Sequence, residues 1–112
     1  MSPPPPSSEA EAIAKVVLGQ LASGEFAAVS HRFVDKCQAL IPAEALKQAW
    51  NRITSEAGAF CNIVACEPEP ADDPELCLVA ATCNFDRGQL LACMLVDGEG
   101  HLNGLWFHAK QA

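Results

Sequence analysis

The chain has 112 residues, half of them hydrophobic, with 14 acidic against 7 basic side chains and a net charge of −7. That is the length of one domain able to bury its own core. The acidic balance argues against nucleic acid and anionic membranes as partners, since both recruit basic patches, and no run approaches the ~18 apolar residues of a membrane span.

The opening segment, MSPPPPSS, has no basic residue and no apolar core, so it does not read as a signal peptide. Residues 1–7 are expected to form a disordered polyproline tail, with an SH3-type ligand as the alternative reading, and residues 8–112 a single domain. Without an export signal the expected compartment is the cytoplasm, where the six cysteines stay reduced. No Cys-x-x-Cys pair occurs, so no zinc site is expected, nor any other metal or cofactor. Five of the cysteines fall in strand-like runs, where free cysteine packs as a small hydrophobe. Cys66 and Cys77 flank the acidic segment 67–76 and are the one pair positioned to face each other across a hairpin.

Ser8 and Glu11 have the Ser-x-x-Glu spacing of a capping box and open the first helix. Ile13, Val16, Val17 and Leu21 give it an apolar stripe, and Gly24 suits a left-handed stop. A second helix starts near Glu25, with Phe26, Val29, Phe33 and Cys37 on one face. Pro42 opens a third, where its missing N–H costs nothing. Leu46, Ala49, Trp50, Ile53 and Ala57 line this helix, and Gly58 ends it.

The period then changes to that of strands, over 60–66, 76–85, 89–96 and 101–108. Asp86–Gly88 turns the chain once, and Asp97–Gly100 turns it again with an Asp-Gly hairpin signal. Helices followed by strands, on links too short for crossovers, give an α+β domain with three N-terminal helices on one face of a four-stranded antiparallel sheet. The third strand is apolar on both sides: Leu90, Ala92, Met94 and Val96 on one, Leu91, Cys93 and Leu95 on the other. A sheet with one wet face should alternate apolar with polar, so something is expected to cover the second face.

The run Gly24–Val29 with Phe33, then Leu46, Ala49–Trp50, Ile53 and Gly58–Phe60, and finally Phe85, Gly88, Leu90, Asp97, Glu99–Gly100 and Gly104–Phe107 together resemble a bacterial family of small domains of unknown function. These have an NTF2-like, cystatin-like fold and occur alone or ahead of α/β-hydrolase domains. The chain departs from that family in having Ile41 where a Ser or Thr cap precedes Pro42, and in its many cysteines. The resemblance implies a curved sheet wrapped around helices, a pocket between them, and dimerisation through the sheet. Relatives in that wider group include cofactor-free isomerases, cyclases and dehydratases as well as non-catalytic modules, so the fold alone does not decide function.

An enzyme of that kind needs a general base and a hydrogen-bond donor in an apolar pocket. Tyr is absent from the chain. His31 and Asp35, at i and i+4 on the second helix, are the candidate catalytic pair, set against the plainer reading of a solvated helix face beside Arg32 and Lys36. Trp106 and His108 share a strand face and suit either a ligand mouth or an interface, the apolar second face favouring the interface. Leu105 and Phe107 then point at the helices. Asn84 and Thr82 read as pocket hydrogen-bonding groups or as side chains satisfied by backbone, and Met94 completes the ligand or interface set. No cysteine has an activating partner in sequence, and no glycine-rich phosphate loop is present. The expected function is a non-catalytic binding or accessory module, homodimeric through its sheet, that holds a small apolar ligand or a partner protein. The alternative is an isomerase, cyclase or dehydratase in the same cavity.

Overall fold

In a computed structural model, which describes residues 6–109, four helices precede four strands. The helices are α1 (Ser7–Ala22), α2 (Phe26–Ser30), α3 (Asp35–Gln38) and α4 (Ala43–Ala57). The strands are β1 (Phe60–Pro70), β2 (Leu76–Phe85), β3 (Gly88–Asp97) and β4 (Leu102–Ala109). They form one antiparallel sheet in the order β1-β2-β3-β4. The tail expected over 1–7 lies largely outside the described residues.

Pro6, not Ser8, caps α1, and no side chain completes a capping box. Glu9 N and Ala10 N donate instead to Pro6 O, each at 3.0 Å. The stripe is also phased differently from the sequence expectation. Ala10, Ala14, Val17, Leu18 and Leu21 are buried, and Val16 is 46% exposed. Alanine at the contact lets the helix lie close on the sheet, so the small residues, not the largest ones, set the phase. Gly24 ends the helix at φ 80° with Glu25 N on Gln20 O at 2.8 Å, the bond pattern that a left-handed residue permits.

The expected second helix is broken. α2 stops at Ser30, and Phe33 forms a parallel bridge with Leu102. Val34 N donates to Leu102 O at 3.0 Å and Leu102 N donates to Arg32 O at 2.8 Å. The edge of β4 thus offers the backbone partners that helix continuation would have supplied, and Phe33 is 1% exposed in exchange.

On α4, Leu46 and Trp50 are buried, Ile53 is half-buried, and Ala49 is exposed. Gly58 stops the helix at φ 86°. The β2–β3 turn then grips the helix end. Arg87 Nη2 donates to Ser55 O at 2.7 Å and Arg87 N to Ala57 O at 2.7 Å, placing a cation on the terminal carbonyls. Trp50 joins α4 to the sheet, its ring 5.9 Å from Phe85, 5.9 Å from Phe107 and 6.2 Å from Phe60.

β1 runs four residues past its expected end, to Pro70, with bulges between Phe60 and Asn62 and between Ile63 and Ala65. As an edge strand it tolerates Pro68 and Pro70, because its outer side has no ladder to complete. This extension separates Cys66 from Cys77. Cys77 lies opposite Pro70, Cys66 lies opposite Ala81, and all six cysteines are free. At the β3–β4 turn the left-handed residue is Gly100, not Gly98. Asp97 Oδ1 accepts from Glu99 N at 3.0 Å and His101 N at 2.9 Å, so the aspartate organises the loop as an Asx-type cap.

The helices pack on the face formed by Val79, Ala81, Cys83, Ala92, Met94 and Val96. Met94 is fully buried there, in the core cluster and away from the second face on which Trp106 and His108 lie. Leu105 and Phe107 pack against the same cluster.

Candidate functional site

The second sheet face is built from the register. Directly paired residues of an antiparallel ladder share a face. One row across it is Ala65, Thr82, Leu91 and His108; the next is Glu67, Ala80, Cys93 and Trp106; the third is Glu69, Leu78, Leu95 and Gly104. Apart from Thr82 the central strands are therefore apolar in these rows, β1 brings two carboxylates, and β4 brings Trp106 and His108. Thr82 and Cys93 are each 6% exposed, while Trp106 is 38% exposed.

Trp106 Nε1 donates to His108 Nε2 at 2.8 Å, with the rings edge to face and their centroids 6.3 Å apart. The indole N–H can only donate, so His108 Nε2 must accept. With Nε2 accepting, the donor group left to the ring is Nδ1–H. Gly104 makes room beside Trp106: a Cβ there would come within 3.2 Å of the indole ring. Cys93 holds its thiol up from the ordinary value through burial and, second, the charge of Glu69. The ladder register sets Glu69 on this same face, one row from Glu67.

At one end of the face three amides form a ladder. Asn84 Nδ2 donates to Asn62 Oδ1 at 3.2 Å, and Gln89 Nε2 donates to Asn84 Oδ1 at 2.8 Å. Asn84 is thus satisfied by neighbouring side chains and not by backbone. Gln89 was readable in principle, since a turn at Asp86–Arg87 pairs it with Asn84. Asn62 was hidden by the β1 bulges.

A cleft of about 300 Å³ runs between α4 and the outer edge of β4. Leu46, Ala49, Ile53, Leu105 and Phe107 line it, with Arg52 as its one charged residue. A larger recess, about 430 Å³, lies between α3 and the β3–β4 turn and is acidic, with Asp35, Asp73, Glu75, Asp97 and Glu99 around it. Asp35 borders this recess, and His31 does not. The i,i+4 relation expected of His31 and Asp35 fails because the helix that would carry both ends at Ser30. No ion pair joins them among the described residues.

Among the described residues no group of His, Cys, Asp and Glu is arranged to hold a metal, and no helix is long and apolar enough to cross a membrane. Cys83 is the most protected thiol, pushed up to about 11 by burial and then by the nearby Cys66. Cys61 is exposed, and its thiol is raised by local desolvation and by the Asp86 carboxylate that it meets at 3.5 Å. Among the described residues neither has the neighbouring cation that makes a thiolate nucleophile.

Residues 14–105 match the model of a family described as "Protein of unknown function (DUF3887)". No curated protein and no solved structure matches the chain.

Proposed function

We propose that this chain, which belongs to the DUF3887 family of proteins of unknown function, is a non-catalytic binding or accessory module of NTF2-like fold. It works as a homodimer joined through the second face of its sheet. One observation carries the reading. Leu78, Ala80, Leu91, Cys93 and Leu95 form an apolar plate on the central strands, whereas the buried apolar side chains of the helices belong to the cluster on the other face. An apolar plate rimmed by polar side chains is the pattern of an interface, and a closed two-fold pair is its simplest cover. Trp106, at the margin of the plate, is the anchor.

The cleft between α4 and β4 is the candidate seat of a small apolar ligand, its volume at the lower end of the range for ligand pockets. The rival enzyme needs a carboxylate or imidazole withdrawn from water to tune its pKa. The buried polar side chains among the described residues are Ser30 and Thr82, which supports binding over acid–base chemistry. Free thiols throughout fit a cytoplasmic setting. Sedimentation of the wild-type chain at micromolar concentration should show a dimer, and Trp106→Glu a folded monomer with an unchanged helical CD signal. A wild-type chain that remains monomeric at high micromolar concentration refutes the interface.

A further inference from the structure

Given that dimer, the register decides how the two copies meet. Sheets in face-to-face contact pack about 10 Å apart with their strands roughly aligned or orthogonal. Aligned packing offers two positions for a two-fold axis in the plane between them. An axis across the strands lays β1 on β1 and β4 on β4. An axis along the strands keeps each row opposite the same row but reverses strand order, so β1 lies over β4 and β2 over β3.

We infer that the axis runs along the strands, so that Glu67 on β1 of each copy lies against the partner's Trp106 and accepts a hydrogen bond from the partner's His108.

Three observations carry this. The first is charge. Glu67 and Glu69 share the second face on β1, so the other axis gathers the four carboxylates of two copies along one strip in a region losing water. Like charges brought together there are costly. The chosen axis sends each acidic strip to the strip that holds donors.

The second is hydrogen-bond chemistry. Because Trp106 occupies His108 Nε2, the imidazole has one remaining group, Nδ1–H, and it is a donor. A carboxylate is the acceptor that suits it. Within one chain β1 and β4 are the opposite edges of the sheet, three strand spacings or roughly 14 Å apart, so Glu67 cannot serve the His108 of its own chain.

The third is shape. The chosen axis sets Leu78 over the partner's Leu95, Ala80 over the partner's Cys93, and Thr82 over the partner's Leu91. A small pair meets at the centre, where the sheets approach closest, with a leucine in the rows on either side. Four strands about 4.8 Å apart and four rows about 7 Å apart give a face of roughly 500 Å² in projection. The accessible area of a corrugated face exceeds its projection, so two copies approach the lower bound of about 1,200 Å² for a specific interface.

The test is a double-mutant cycle on the dimer dissociation constant, measured by sedimentation equilibrium of the full chain. Glu67→Gln and His108→Ala should each weaken the dimer, by roughly tenfold for the two contacts it contains. The double variant should be no weaker than either single one. Coupling of this kind can arise only between chains. A Glu67→Gln dimer that is as tight as wild type or tighter, or single effects that simply add, overturns the axis while leaving the dimer in place. A monomeric wild-type chain overturns the dimer and the axis together.

Discussion

Replacing Trp50 by alanine should remove the pillar between α4 and the sheet. Trp50 is 7% exposed, and its ring meets those of Phe60, Phe85 and Phe107 at 5.9 to 6.2 Å, with Phe60 and Phe85 also packed edge to face at 5.6 Å. Deleting a buried large aromatic ordinarily costs about 3–5 kcal/mol. Each tilted ring pair adds about 0.5–1.5 kcal/mol beyond its area. Three pairs lost at once place the expected cost at the upper end, ~4–5 kcal/mol. Domains of this size hold about 5–15 kcal/mol in total, so the variant should sit close to unfolding at room temperature. The assay is urea denaturation followed by far-UV CD, at one fixed protein concentration because dimerisation adds to apparent stability. Trp50→Phe, which keeps an aromatic ring among the three phenylalanines, should recover most of the loss. A Trp50→Ala loss below about 2 kcal/mol with an unchanged urea slope would refute the pillar reasoning, and would leave lining the α4–β4 cleft as the role of Trp50.

Gly58→Ala should destabilise by at least ~2 kcal/mol, since only glycine tolerates this backbone and the overpacked site cannot relax freely; the added Cβ would lie 2.5 Å from Asp86 Cβ. Gly19→Ala is its control, with nothing within 4 Å of the added Cβ, and should gain about 0.5–1 kcal/mol of helix stability in the same melts. Thiol labelling at pH 8 should modify exposed Cys61 first and Cys83 last, because Cys83 is held at about 11. The Asp86 carboxylate raises the Cys61 thiol, so Asp86→Asn should lower that value, increase the thiolate fraction and speed labelling of Cys61. An unchanged rate–pH profile would show that the carboxylate does not act on it.

Much of the architecture follows from local rules that the chain carries in its own order. The change from helical to alternating period at Phe60 separates the layers, because side-chain direction repeats every 3.6 residues in a helix and every two in a strand. Gly24 and Gly58 mark helix ends since each needs a positive φ that other residues avoid. The short links Asp86–Arg87 and 98–101 force neighbouring strands to run antiparallel, and the apolar character of both sides of β3 exposes a face that needs a cover. The placement of Trp106 and His108 on that face follows from alternation alone.

What local rules do not carry is competition between distant partners. The helix expected from Glu25 to Cys37 has a sound apolar period, yet the free edge of β4, some 70 residues later, takes Arg32 and Val34 into backbone bonds and ends it. His31 and Asp35 lose their relation for that reason. Met94 lies on the helix-covered face of a strand that is apolar on both faces, and only the position of the helices tells the two apart. Asn62 meets Asn84 because two bulges in β1 shift its register. The bond from Trp106 to His108 needs rotamers fixed by packing, with Gly104 leaving room for the indole. Each of these depends on how the elements pack against one another in three dimensions, and periodicity within one segment holds no record of that.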